Sequence, residues 1–61
     1  MIPITKLNEQ KMIINCDLIE LIESTPDTTL TMTTGRKIII KESMDAVLEM
    51  IVTYKKSIAL Q

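Results

Sequence analysis

The chain has no histidine, phenylalanine or tryptophan, and only one glycine, one cysteine and one tyrosine among its 61 residues. Without histidine there is no imidazole to act as a general base or to activate a serine or cysteine nucleophile. A lone glycine, Gly35, cannot form a glycine-rich phosphate loop. We therefore expect no catalytic residues, no cofactor and no enzymatic activity.

The small number of cysteines also limits how so short a chain can be stabilised. Cys16 alone cannot form an intrachain disulfide, and one thiolate with carboxylates is a poor ligand set for structural zinc, so we expect no metal site. Between a reactive thiol and a small, partly buried hydrophobe, the second interpretation of Cys16 is favoured. Residues 1–61 form at most one domain with a small core, yet 46% of them are hydrophobic. We therefore expect a homo-oligomer that buries apolar surface between subunits.

Charge and hydropathy give no sign of a secreted or membrane protein. The net charge is −1, so there is no overall attraction to nucleic acid or anionic lipid. The first ten residues include Pro3, Lys6 and Glu9, unlike a signal peptide. The apolar C-terminal segment carries Asp45 and Glu49, which argues against a transmembrane span. We expect a cytoplasmic protein without membrane insertion.

Strand and turn signals follow one another closely from residue 2 to residue 42. Alternating apolar residues predict strands over about 2–7, 11–15, 18–25, 28–33 and 37–42. The segment 18–25 also has helical spacing. We favour a strand with a helical first turn, which follows a corner at residues 15–17. Pro26 and Asp27 fit the central positions of a type I turn, and Gly35 fits a left-handed position in a hairpin loop. We interpret these three as structural turn residues.

One helix is predicted over about residues 44–58, with Ser43 at its N-cap. One apolar stripe consists of Met44, Val47, Leu48, Ile51 and Ile58. A second apolar set lies beside it and consists of Ala46, Met50 and Tyr54, and Val52 adds a further position. This surface is wider than packing on one sheet requires, so Met50, Val52 and Tyr54 form the candidate interaction surface. For Met50 and Tyr54, core packing and a partner contact are equally favoured.

Together these elements predict the α+β class, a small curved antiparallel β-sheet of about five strands with one C-terminal helix. The helix packs on the sheet or is exchanged with a neighbouring subunit.

Two sets of surface residues have both a functional and a structural interpretation. Alternate threonines over 29–33 suit a recognition face, but they are also ordinary strand composition, which is favoured. Arg36, Lys37 and Lys41 form a basic patch too small and too poor in aromatics for a typical nucleic-acid site, so a solvated hairpin is favoured.

Several short motifs resemble the flagellar FlbD/SwrD family in order and spacing. They are the start MIPITKLN, the middle IINCDLIELIE, the turn ESTPDT, the hairpin TTGRK and the helix start KES, within residues 1–56. Members usually have a glycine in the first turn, where this chain has Asn8 to Lys11, so we expect Asn8 or Gln10 to take the unfavourable dihedral angles. The resemblance implies a non-enzymatic accessory protein that supports flagellar motor power in swarming. Its implied partners are motor or basal-body proteins at the cytoplasmic side of the motor.

The alternative is a small RNA-binding post-transcriptional regulator of the carbon storage regulator type. Such regulators have a similar length and a similar order of strands and helix. They read RNA with a basic strand edge, and this chain matches the layout but not those residues. We therefore expect no nucleic-acid partner.

Overall fold

The computed structural model describes residues 1–59, which form five strands, a short 3₁₀ turn and one α-helix. The elements are β1 (Ile2–Thr5), β2 (Lys11–Ile14), the 3₁₀ turn (Cys16–Leu18), β3 (Ile19–Glu23), β4 (Thr28–Met32), β5 (Lys37–Ile40) and α1 (Met44–Ala59). All strand pairs are antiparallel. The predicted α+β class, with five strands and one C-terminal helix, is confirmed. The expected domain also included residues 60 and 61, which lie outside the described residues.

The five strands are divided between two sheets and do not form one continuous curved sheet. β1 pairs with β2, while β3, β4 and β5 form a three-stranded sheet. A single bridge between Lys6 and Ile40 joins the two sheets. Next to it, the Lys41 N–H donates to the Thr5 carbonyl oxygen at 2.8 Å, and the Thr5 N–H donates to Oε1 of Glu42 at 2.8 Å. We call Thr5, Lys41 and Glu42 the Thr5 junction; it gives the spatial strand order β2-β1-β5-β4-β3.

Glu42 is held as a carboxylate at this junction. Partial burial of the side chain raises its pKa, but the hydrogen bonds from Thr5 outweigh that effect and leave the pKa below its ordinary value. The ionised form of Glu42 therefore stabilises the folded state.

The core is formed by the inward faces of both sheets and one face of the helix. Successive side chains of a strand point to opposite faces, so alternate strand residues reach it. The fully buried side chains are Ile2, Ile4, Leu30, Ile40 and Val47. The remaining buried hydrophobic residues are Ile14, Cys16, Met32 and Ile38. Full burial of one such aliphatic side chain contributes about 1.5–3 kcal/mol, so this short list accounts for much of the apolar stabilisation.

The first hairpin loop uses a different residue from the two that we expected to be strained. Glu9 has a φ of 73°, so the prediction for Asn8 or Gln10 is wrong. Oδ1 of Asn8 accepts from the Gln10 N–H at 3.0 Å, and the Gln10 carbonyl accepts from the Lys6 N–H at 2.8 Å. With its two neighbours fixed by these hydrogen bonds, Glu9 takes the left-handed conformation. Its carboxylate forms an ion pair with Lys41.

The other two predicted turns differ in outcome. Pro26 and Asp27 lie in the turn between β3 and β4, and the Thr25–Pro26 peptide is cis. The type I geometry of this turn stays a prediction. Gly35 has a φ of +90°, in the region that the sequence predicts for it. Its N–H donates to the Met32 carbonyl at 2.8 Å and closes the loop between β4 and β5.

The corner before β3 and the start of α1 follow local sequence signals. Oδ1 of Asn15 accepts from the Asp17 N–H at 3.0 Å, and the 3₁₀ turn that follows leads directly into β3. The favoured interpretation of this segment, a strand with a helical first turn, therefore describes it well. Oγ of Ser43 accepts from the Ala46 N–H at 3.1 Å, which is the geometry of an N-cap. Within the described residues the helix spans Met44–Ala59, so it includes the predicted end at residue 58.

Candidate functional site

Helix α1 is held to the rest of the molecule along one face. Val47 is its only fully buried residue within the described part of the chain. Met50, Ile51 and Tyr54 are partly buried and pack against the core. At about 100° per residue these four side chains lie on one side of the helix. Ile58 lies on the same side but is 42% exposed, so the last turn of α1 extends past the sheet.

Two residues of the predicted apolar stripe, Leu48 and Ile58, are exposed. Leu48 is 46% exposed, because it lies about 100° around the helix from Val47 and points away from the sheets. Val52, four residues further on, is 51% exposed. Leu48 and Val52 form an exposed apolar strip, which we call the helix flank.

A groove separates β1 from α1. Its lining is mostly apolar and consists of Met1, Ile2, Pro3, Ala46, Glu49, Met50, Thr53 and Tyr54. Its volume is about 480 Å³, within the range of sites that receive a ligand or a partner side chain. Met50 and Tyr54 both pack against the core and line this β1–α1 groove. Their core contact is thus observed, and their contact with a partner stays a prediction.

The structure does not bring the three candidate interaction residues onto one surface. Met50 and Tyr54 line the β1–α1 groove, whereas Val52 lies on nearly the opposite side of the helix. The sequence pattern also missed the strand half of the groove, in particular Pro3. No helical periodicity could have found that residue, because it reaches the helix only through the packing of the first hairpin. Ala46 was visible in the second apolar set, and Thr53 carried no signal.

An ion pair joins the helix to the corner before β3. Nζ of Lys55 contacts Oδ1 of Asp17. The hydrogen bond from Lys55 lowers the pKa of Asp17, and the hydrogen bond to Asp17 raises the pKa of Lys55. Both groups are exposed, so the pair contributes little to stability. It lies on the side of α1 that faces the corner.

The predicted basic patch is small and partly neutralised. Lys41 pairs with a carboxylate of the first loop, while Arg36 and Lys37 lie with Lys6 around a shallow cleft of about 350 Å³. Sequence reasoning missed Lys6, because it reaches this cleft only through the bridge between the two sheets. Tyr54, the one aromatic residue of the chain, is on the helix and not in this cleft. The cleft therefore lacks the stacking platform that single-stranded RNA readers use.

The three alternate threonines differ in accessibility: Thr29 is half-buried, Thr31 is buried and Thr33 is exposed. Thr31 is buried, with Leu21 and Lys37 as its cross-strand neighbours. Within residues 1–59, Oγ1 of Thr31 has no hydrogen-bond partner.

Over residues 1–59 no cluster of three or more His, Cys, Asp or Glu side chains is arranged to hold a metal ion. Nor does any helix of the described chain have the length and hydropathy needed to cross a membrane.

Comparison with known proteins identifies one family. The family model described as FlbD, flagellar and swarming motility proteins, matches residues 1–59. The match spans both sheets, the Thr5 junction and the helix, and so includes every residue that lines the β1–α1 groove. No curated protein and no solved structure matches the chain.

Proposed function

This chain belongs to the FlbD family of flagellar and swarming motility proteins, and we propose that it supports flagellar motor power in swarming through protein–protein contacts. Its role is in motility, and the proposed mechanism is binding without catalysis. The chemistry of the chain supports this, because it has no imidazole and only one glycine. The proposed location is the cytoplasmic side of the motor, where a motor or basal-body protein is the partner.

The observation that carries the proposal is the β1–α1 groove. Its lining is dominated by methionine, isoleucine, proline and tyrosine side chains, which suit an apolar side chain or helix of a partner. Methionine adapts its shape to a partner surface, and tyrosine combines a large apolar ring with a polar tip, so both are common in interfaces. A partner that fills the groove would complete the burial of Met50 and Tyr54.

Thr53→Arg tests the groove without removing a core contact, because Thr53 is exposed and lines the groove. Ser57→Arg is the matched control, since Ser57 is an exposed hydroxyl residue one turn later that does not line it. Thr53→Arg should slow swarming and lower the torque of tethered cells while filaments still assemble, and Ser57→Arg should behave like the wild type. Met50→Glu and Tyr54→Ala should also impair movement, but they disturb core packing as well.

Deletion of the gene distinguishes the proposed role in motor power from a role in flagellar assembly or in gene regulation. Loss of the filaments, or altered flagellar transcript levels, would indicate a role in assembly or regulation. Normal motility in the deletion strain would contradict the proposed function. If cells that carry Thr53→Arg swarm normally while the deletion strain does not, the contact with the partner protein lies elsewhere on the surface.

We also propose that the chain associates with itself. Only one residue of the long helix is fully buried in the described subunit, and the helix flank leaves Leu48 and Val52 in solvent. Chains of this size are marginally stable alone and often gain their missing burial by oligomerisation. A second copy packed on the helix flank would supply that burial.

A further inference from the structure

The outer edge of β3 is unpaired in residues 1–59. β3 pairs with β4 on one side, and no other strand lies beside it in the described chain. The register of this pairing shifts between Ile19 and Leu21, so the regular part of the edge is residues 21–23. Alternate N–H and carbonyl groups of an edge strand point outward and can pair with an added strand. The edge of β5 is different, because it meets β1 at the Thr5 junction. The outer edge of β2 is also unpaired in the described chain, and residues 12–14 of β2 line a cleft together with the loop between β4 and β5.

The β3 edge is acidic. Residues 12–35 contain no lysine or arginine, and their four carboxylates lie on β3 or directly beside it, at Asp17, Glu20, Glu23 and Asp27. Asp17 is neutralised by its ion pair with Lys55. Glu20 and Glu23 are exposed and have no ion-pair partner among residues 1–59.

Two leucines accompany these carboxylates. Leu18, just before the strand, is 46% exposed, and Leu21, within it, is 51% exposed. Leu21 and Glu23 lie on the outer face of the sheet, opposite Thr31 and Thr29. An edge that is only protected against pairing needs charges alone. Exposed leucines beside the charges add an apolar contact that a docked strand would cover.

We propose that the outer edge of β3 binds, as an added strand, an extended segment of a partner protein that is rich in lysine or arginine. Main-chain hydrogen bonds would supply affinity, and Glu20 and Glu23 would select the basic side chains. A second copy of this chain does not offer such a segment. Its β5, which Arg36 and Lys41 flank, is paired with β4 and joined to β1, and its β2, whose outer edge is unpaired, carries Lys11 as its one basic residue. The β3 edge is separate from the β1–α1 groove, so it goes beyond the contact proposed above.

The probe is a short blocked peptide of alternating lysine and valine, titrated into the isotope-labelled full chain by NMR. We expect saturable shifts that centre on Ile19–Glu23 and weaken at moderate salt. A second peptide, N-methylated at alternate residues, has the same charge but cannot form the main-chain hydrogen bonds along one edge. It should bind at least about tenfold more weakly. Equal binding of both peptides would mean charge attraction alone and would overturn the proposal.

Charge reversal locates the site. Glu20→Lys combined with Glu23→Lys should weaken binding of the first peptide at least about tenfold, since it replaces attraction with repulsion. Asp45→Lys makes the same kind of change on an exposed residue of α1 that lines neither the β3 edge nor the β1–α1 groove, and should leave binding unchanged. If the double variant does not fold, Glu20→Gln and Glu23→Gln, tested singly, should each weaken binding. Unchanged affinity in the folded variants would overturn the proposal. Shifts at Ile19–Glu23 that grow with protein concentration alone would overturn it in favour of a second copy.

Discussion

Replacing Glu42 with alanine tests the Thr5 junction directly. Oε1 of Glu42 accepts from the Thr5 N–H at 2.8 Å, so the substitution leaves that donor without its acceptor. A hydrogen bond to a charged group contributes about 1.5–3 kcal/mol to stability. Glu42 is only partly buried, and solvent reduces the value. We therefore expect Glu42→Ala to lower the free energy of unfolding by about 1–2 kcal/mol.

Thermal and urea unfolding at pH 7 measure this loss. For a domain of this size 1 kcal/mol corresponds to about 4–8 °C, so the midpoint should fall by roughly 5–15 °C. Glu42→Gln keeps an oxygen acceptor but removes the charge, and should lose less than the alanine variant. Glu49→Ala is the matched control on an exposed site, and should change stability by less than about 0.5 kcal/mol.

The effect of Glu42 also depends on pH, with a definite sign. The pKa of Glu42 in the folded state lies below its ordinary value of 4.5, so its contribution is fully present above that value. The contribution is lost as the pH falls through the lower, folded-state pKa. The difference in stability between the wild type and Glu42→Gln should therefore shrink in acid. Equal midpoints for the wild type and Glu42→Ala at pH 7, or a wild-type to Glu42→Gln difference that does not change in acid, would refute the reasoning.

Three further predictions concern the loop, the core and the oligomer. Gly35→Ala should cost about 1 kcal/mol in thermal unfolding, because an alanine is strained at a φ of +90° even though no atom lies within 4 Å of its Cβ; an unchanged midpoint would contradict this. Val47→Ala should cost about 2–3 kcal/mol, since Val47 is fully buried, while Val52→Ala on the exposed flank should cost almost nothing; equal losses would show that the helix packs differently. Sedimentation at micromolar concentration should give at least twice the chain mass of 6.9 kDa, and a monomer throughout that range would exclude self-association.

Local signals in the sequence predicted most of the elements. Asn15 and Ser43 cap the elements that follow them through hydrogen bonds within three residues, so their effect can be seen in a short window. The division into two sheets could not be predicted in this way. Nor could the way in which the two sheets meet, because the bridge that joins them pairs Lys6 with Ile40, which are far apart in the chain. The strained residue of the first loop was missed because Asn8 fixes its own neighbourhood and leaves Glu9 to adapt.

Only the helix half of the β1–α1 groove could be predicted from the sequence, because its residues follow a local pattern and the strand residues do not. Periodicity marked Met50 and Tyr54 as apolar positions beyond the main stripe, and both line the β1–α1 groove. Periodicity could not show which side of a broadly apolar helix faces the sheets. Leu48 was therefore assigned to the same stripe as Val47, and Val52 was grouped with Met50 and Tyr54, which lie on the opposite side of the helix. The strand half of the groove, including Pro3, follows only from tertiary packing.

The Thr5 junction has a consequence for the order in which the molecule forms. Thr5 and Glu42 are 37 residues apart, and closing a loop of that length costs more entropy than closing a hairpin. The first hairpin, Ile2 to Ile14, is local and can form early, but its docking must wait for the residues directly before the helix. During synthesis the two sheets therefore become one cooperative unit only after residue 42 has left the ribosome, however early the separate strands have paired.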